Sequence, residues 1–301
     1  MVKRILVTGA GGQVAFPLAR SLVAAGHEVW GLARLRRAGE RERLEAAGIR
    51  PFAADLGAGD FAGLPRDFDQ VLNFAVAKSG KWDRDLAANA EGLGLLMAHC
   101  RESGALLHCS STAVYEPAGH TLLTETHPLG DNHRVLMPTY SICKIAAEVV
   151  ARTVARSFAI PTTIARLNVP YGDGGGWPAI HLAQVLAGTP IAVSPDAPNI
   201  YNPIHEDDIF AMVPRLLEIA SVPATVVNWG GSEVASIEAW SAYLGDLVGR
   251  PACFVTTERT IGPVAIDVTR MHELVGATRV GWRDGMRRMV AARHPEIALR
   301  G

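Results

Sequence analysis

The sequence predicts an α/β fold, a parallel sheet with helices over both faces, and three observations carry that expectation. Short apolar runs at Lys3–Thr8, His27–Leu32, Arg50–Ala54, Gln70–Ala75 and Ala105–Cys109 alternate with helical stretches, the arrangement that joins parallel strands through crossover helices. A glycine-rich turn, Gly9-Ala10-Gly11-Gly12-Gln13-Val14-Ala15, stands between the first run and an apolar helix reaching about Ala25. The 301 residues are 49% hydrophobic and 20% charged, enough to bury a sizeable core as one large domain or as a domain with a lobe built on it.

Charge and cysteine usage narrow the function classes. The net charge of −1, with signs mixed throughout, excludes a basic field for nucleic acid and a polybasic membrane signal, so a small molecule is the expected partner. Cys100, Cys109, Cys143 and Cys253 lack metal-ligand or CxxC spacing and read as small core residues with reduced thiols in a cytoplasmic protein. The run Ile5-Leu6-Val7 stops too soon for a signal peptide, and no segment reaches membrane-spanning length.

Taken in order, the glycines of the first turn let the backbone approach a pyrophosphate, whose charge the N–H groups and dipole of the following helix favour. Gly26 closes that helix, and the second strand completes a βαβ unit. An acidic residue at the end of this strand would bond the adenosine ribose of NAD. Ala33 and Arg34 stand there instead, with no carboxylate to repel a 2′-phosphate and a guanidinium able to grip it, so NADP is expected, with NAD as the other possibility. Arg36, Arg37, Arg41 and Arg43, interleaved with Glu40, Glu42 and Glu45, read for the most part as a solvated helix face, a phosphate clamp being the alternative. Asp55, before Leu56, either accepts from an adenine amino group or caps a helix.

The helix from about Asp83 to Ser103, containing Asn89, is expected to pack on the sheet, with pairing to a second copy as the alternative. Ser110-Ser111-Thr112 follows the strand at Ala105, at the end where parallel sheets bind ligands. A loop rich in Gly, Pro and His then leads to Tyr140-Ser141-Ile142-Cys143-Lys144. Tyr140 and Lys144 share one helix face, and a fixed cation beside a phenol lowers its pKa from near 10, which makes the two a candidate acid/base unit. Gly174 to Pro178 reads as a loop anchored by Trp177, a mobile flap being the alternative. His205-Glu206-Asp207-Asp208 precedes a helix and reads as its cap, with no metal expected.

Jointly, Thr8 to Ala15, Asp55-Leu56, Ser110 to Tyr115, Tyr140 to Lys144, Arg166 with Tyr171-Gly172, Asn202 to Asp208 and Val227 to Gly231 resemble the extended short-chain dehydrogenase/reductases, which include the NAD-dependent epimerase/dehydratases. The resemblance implies a Rossmann-type doubly wound sheet with a smaller C-terminal substrate-binding lobe. Residues 1–165 plus about 198–232 would form the coenzyme domain, and about 166–197 and 233–301 the lobe. It further implies Tyr140 as acid/base, Lys144 on the nicotinamide ribose and Ser111 on the substrate oxygen. The dinucleotide would lie against Gly9, Gly11, Gly12, Gln13, Val14, Arg34, Asp55, Leu56, Phe74 and Ala75, and the helices after Asp83 and Tyr140 would pair in a homodimer.

Departures from the family shape the expected activity. Ser111-Thr112-Ala113 replaces the Thr-Asp-Glu of the dehydratases, Tyr201 stands where nucleotide-sugar members usually carry an Arg for the diphosphate, and the Asn usually found just before Tyr171-Gly172 is displaced. The expectation is therefore hydride transfer between nicotinamide and a secondary alcohol or ketone of a small organic substrate. A nucleotide-sugar epimerase holding NAD tightly is the alternative.

Overall fold

Seven strands form one parallel sheet in the computed structural model, which describes residues 1–300: β1 (Arg4–Thr8), β2 (Glu28–Ala33), β3 (Arg50–Ala53), β4 (Gln70–Asn73), β5 (Ala105–Ser111), β6 (Thr162–Leu167) and β7 (Thr225–Trp229). Their spatial order is β7-β6-β5-β4-β1-β2-β3, and every neighbouring pair is parallel. The direction of winding reverses between β1 and β4, so the crossovers part there and leave a crevice beyond the strands' C-terminal ends. The sheet is the Rossmann-type α/β architecture expected from the sequence.

The helices are α1 (Ala15–Ala24), α2 (Glu40–Ala46), α3 (Trp82–Leu86), α4 (Gly92–His99), α5 (Tyr140–Phe158), α6 (Trp177–Ala187), α7 (Glu206–Glu218), α8 (Ile237–Val248), α9 (Thr269–Leu274) and α10 (Trp282–Arg293). Successive strand residues point to opposite faces, and both faces of this sheet are buried. Ile5, Val7, Leu72 and Leu107 pack with Leu18 of α1 and with Ile209, Val213 and Leu216 of α7. Leu6, Val71, Leu106 and Ile164 pack on the other side with Leu93 and Leu96 of α4 and with Ala147 and Ala151 of α5. A third cluster joins Leu182, Tyr201, Trp240, Leu244 and Met286, drawn largely from α6, α8 and α10.

Short strands tie the segments around this third cluster into three small sheets separate from the main one. Pro170–Gly172 pairs with Ile204–His205 and with Gly175–Gly176, Ile200–Tyr201 pairs with Ala235–Ser236, and Ile191–Val193 pairs with Phe254–Thr256. Trp177 opens α6 with its ring edge-on to Tyr201 at 5.1 Å, so the Gly174–Pro178 segment is anchored through its Trp. His205 caps α7, its Nδ1 accepting from the Asp207 amide at 3.2 Å.

Three readings of the sequence are corrected. The helix expected from Asp83 to Ser103 is interrupted by a π turn at Ala87–Glu91 and ends at His99. That widened turn carries Asn89, which accepts from the Ala77 amide at 2.8 Å and donates to the Ala77 and Asp85 carbonyls at 2.9 and 2.8 Å, holding the loop that follows β4. Cys253 is exposed just before the edge strand Phe254–Thr256, whereas Cys100, Cys109 and Cys143 are buried. Arg36 and Arg37 precede α2 and do not belong to a helix face. Among the described residues, no helix is long and apolar enough to cross a membrane.

Candidate active site

The site is bolted together at the reversal point of the sheet. Thr8 Oγ1, at the end of β1, donates to Asn73 Oδ1 at 2.6 Å and accepts from the Ala75 amide at 3.1 Å. With its oxygen so engaged, Asn73 presents its NH2 group to His108 Nδ1 at 2.9 Å. His108 is therefore an acceptor at Nδ1, and burial, with the nearby Lys144 cation, holds its pKa well below the ordinary range. These bonds join the ends of β1, β4 and β5. Gly9 follows at φ 65°, where an added Cβ would lie 2.9 Å from Ala75 Cα, so the turn requires glycine both for its left-handed backbone and for its close approach.

The result is a pocket of about 340 Å³ lined by Gly9, Gly11, Gly12, Arg34, Asp55, Leu56, Phe74 and Ala75, eight of the residues assigned to the coenzyme. Gln13, Val14 and Lys144, also so assigned, line an adjoining cleft of about 920 Å³ that meets the first at Gly9, Gly12, Phe74 and Val76. A glycine turn leading into a ten-residue helix, with guanidinium groups at the far end, fits a dinucleotide phosphate backbone. Asp55 accepts from the Gly57 amide at 3.3 Å and pairs with Arg36 at 3.1 Å, which is the capping alternative.

Around Arg34 the surroundings differ from the solvated helix face expected for Arg36, Arg37 and Glu40, since all three line this pocket. Gly39, at φ 76°, turns the chain into α2, and the Glu40 carboxylate reaches back over Gly11 and accepts from the Arg37 amide at 3.4 Å. A carboxylate therefore does face the glycine turn, supplied from α2 and not from the end of β2.

Ser111, Tyr140 and Lys144 come together in the larger cleft. A buried carboxylate sets the start of α5: Asp85 accepts from Thr139 Oγ1 at 2.7 Å, Ser79 Oγ at 2.6 Å, the Ser79 amide at 2.9 Å and the Gly80 amide at 2.9 Å. Burial pushes the Asp85 pKa up, but the bonds from Ser79, Thr139 and Gly80 outweigh it and hold the carboxyl below its ordinary value. This clamp ties the loop after β4 to the residue preceding Tyr140. One turn along α5, Lys144 Nζ donates to the Cys109 carbonyl of β5 at 2.6 Å, and burial together with Lys78 lowers its pKa. Ser111 Oγ accepts from the Ala113 amide at 3.2 Å.

The expected lowering of the phenol pKa is not what the folded chain shows. Burial pushes Tyr140 up to about 12, with the neighbouring Ser111 hydroxyl the opposing influence, while the Lys144 ammonium is turned to the strand carbonyl. In this geometry Tyr140 is a neutral phenol, equipped to donate a proton.

Two further groups face the same cleft and carried no motif in the sequence. Lys78 Nζ stands 4.8 Å from the centroid of the Tyr140 ring. The His133 ring lies 5.9 Å from that of Tyr140. Asn132 donates to the Thr112 carbonyl at 3.0 Å, so its oxygen faces His133, whose Nδ1 donates to it and leaves Nε2 as an acceptor. Burial and the Lys78 charge lower the His133 pKa to about 4. The only sequence signal for His133 is its place in the histidine-bearing loop before Tyr140, and nothing near Lys78 marks it.

Behind the site, Arg166 donates through Nε and Nη2 to Glu148 at 3.0 and 2.8 Å, with both side chains 3% exposed. Ser110 Oγ donates to the same carboxylate at 2.5 Å, coupling α5 to the strand that carries Ser111.

Known proteins resemble this chain in sequence and fold. The model of the NAD dependent epimerase/dehydratase family matches residues 5–230. A dTDP-4-dehydro-6-deoxy-D-allose reductase of Streptomyces bikiniensis is 27% identical over 304 residues, spanning 91% of this chain and 90% of its own. The UDP-glucuronic acid 4-epimerase of Bacillus cereus, solved with UDP-glucuronic acid and NAD, superposes with a TM-score of 0.82 at 20% identity over 97% of this chain and 99% of the other. A dTDP-glucose 4,6-dehydratase of Streptomyces venezuelae, solved with NAD, gives 0.81 at 23% identity over 97% of each. At these identities the solved structures share the fold.

Proposed function

The chain belongs to the NAD dependent epimerase/dehydratase family and is an enzyme of it, and we propose that it transfers a hydride between NADP and a secondary alcohol or ketone of a small organic substrate. One observation carries the reading: Ser111, Tyr140 and Lys144, drawn from β5 and α5, meet in a cleft that opens onto the glycine turn. When bound, the dinucleotide supplies the hydride donor or acceptor. Gly9, Gly11, Gly12, Gln13 and Val14 would hold its pyrophosphate, Arg34 its 2′-phosphate, Asp55 and Leu56 its adenine end, and Phe74, Ala75 and Lys144 the nicotinamide half.

The chain's own residues manage the proton. Tyr140 gives its phenolic proton to the substrate oxygen as that oxygen gains charge, and Ser111 donates a hydrogen bond to the same atom. Lys144, a buried cation one helical turn away, stabilises the tyrosinate left behind. We assign coenzyme binding to residues 1–165 with about 198–232, and substrate binding to about 166–197 and 233–301. Replacing Tyr140 by Phe is expected to lower turnover by about 10² to 10⁴ with coenzyme affinity retained. Wild-type-like turnover in that variant rejects the assignment.

A second reading, a nucleotide-sugar epimerase with tightly held NAD, is favoured by the Glu40 carboxylate beside Gly11, which can accept from ribose hydroxyls. Mass spectrometry of the purified protein separates the two, because a nucleotide that survives gel filtration supports the epimerase. The buried unpaired thiols suit a cytoplasmic enzyme. Leu95 on α4 and Val149 on α5 are 50% and 56% exposed, and these apolar faces support a homodimer. Light scattering is expected to give twice the 32.1 kDa of one chain, and a single-chain mass unchanged on concentration rejects pairing.

A further inference from the structure

We infer that His133 selects the substrate, its Nε2 accepting a hydrogen bond from a hydroxyl on the carbon beside the reacting one. The ligand class is then an α-hydroxy ketone or the corresponding vicinal diol, and this rests on the hydride-transfer reading above. Neighbours fix the tautomer. Asn132 gives its NH2 group to the Thr112 carbonyl at 3.0 Å and receives the Nδ1 hydrogen of His133 on its oxygen, so the ring keeps a bare lone pair at Nε2. Among the described residues, no hydrogen bond reaches that nitrogen. Asn132 is 9% exposed and does not line the cleft, whereas His133 is half-buried and does. The end of the ring turned away from Asn132 is therefore the one the cleft reaches.

The groups around it offer the opposite polarity. Ser111 Oγ accepts from the Ala113 amide and Tyr140 is a neutral phenol, so both present hydrogens, and Lys78 holds an ammonium 4.8 Å from the Tyr140 ring centroid. A carbonyl oxygen that accepts from Ser111 and Tyr140 leaves the His133 lone pair unmet. The His133 and Tyr140 rings are 5.9 Å apart, and a hydrogen bond spans about 3 Å, so one small ligand reaches both. A hydroxyl on the neighbouring carbon supplies the missing hydrogen. A protonated amine is a poorer donor there, since it would stand near the Lys78 cation, which together with burial keeps His133 itself neutral. A ligand without the hydroxyl leaves Nε2 covered and unpaired, which costs affinity.

The test uses the full chain with NADPH. Acetoin and butanone differ by one hydroxyl beside the carbonyl, and the parent is expected to favour acetoin in kcat/KM by roughly 5- to 150-fold, the effect of leaving one buried acceptor unpaired. In His133→Phe that ratio should fall to about one, and in His133→Gln, whose amide oxygen is again an acceptor, it should partly return. Loss of a merely structural contact between His133 and Asn132 would slow both ketones alike and leave the ratio in place. A parent ratio near one, binding of neither ketone, or a His133→Phe variant that keeps the parent ratio would overturn the inference. Acetoin that binds the NADPH-loaded protein more tightly than butanone in a His133-dependent way, read from quenching of NADPH fluorescence, yet oxidises none of it, leaves the inference standing and counts against the hydride-transfer reading instead.

Discussion

Replacing Arg34 by Ala tests the coenzyme assignment most directly, because the 2′-phosphate is the one group that distinguishes NADP from NAD. Arg34 is exposed in the pocket that holds the glycine turn. A hydrogen bond to a charged partner contributes about 1.5–3 kcal/mol. At tenfold per 1.4 kcal/mol this is a loss of roughly 10- to 150-fold in NADPH affinity. NADH affinity should not move, since NADH lacks the phosphate. Arg36 can take over part of the load: its pair with Asp55 involves side chains 63% and 37% exposed, and such a surface pair contributes only about 0–1 kcal/mol. The Arg34→Ala, Arg36→Ala double variant should therefore lose more than Arg34→Ala alone. Glu40 acts in the opposite sense. A carboxylate roughly 6 Å from each phosphate charge costs about 0.7 kcal/mol per charge in a water-like dielectric, so Glu40→Gln should tighten NADPH by several-fold and weaken NADH slightly. Fluorescence titration of coenzyme-free protein with NADPH and NADH measures the parent and all three variants. A parent that prefers NADH, or an Arg34→Ala variant that binds NADPH undiminished, refutes the reasoning.

Two other expectations concern stability. Arg166→Met leaves Glu148 buried without its cation, which costs about 3–5 kcal/mol. With an unfolding entropy of about 2.1 cal/mol/K per residue, that corresponds to a fall in Tm of roughly 5–8 °C for a chain of this length. Adding Glu148→Gln should restore part of it, and calorimetry showing no fall in the single variant contradicts the account. His181 Nδ1 accepts from Trp240 Nε1 at 2.8 Å, and burial lowers its pKa to about 4. The unfolded chain, with an ordinary histidine pKa near 6.5, takes up a proton that the native state refuses, so stability is lost as pH falls from about 6.5 toward 4. His181 should account for roughly 2 kcal/mol between pH 7 and pH 5, a difference that shrinks in His181→Asn and that urea unfolding at the two pH values would reveal.

What the sequence by itself determined was whatever depends on near neighbours. The strand at Arg4–Thr8, the turn at Gly9 to Gly12 and the helix after it are local patterns, and they lie in the chain where they were expected. The four-residue interval from Tyr140 to Lys144 likewise fixes one helix face whatever surrounds it. Only the tertiary structure decided what those groups meet. Lys144 finds the Cys109 carbonyl 35 residues away, and the burial of Tyr140 raises the pKa that spacing alone suggested was lowered. Glu40 reaches Gly11, Asn89 holds Ala77 through a π turn, and Lys78 and His133 arrive beside Tyr140 from separate loops. Burial, charge and hydrogen-bond partners are sums over atoms that packing brings together, so a proton affinity or a cleft wall has no value until the chain has folded around it.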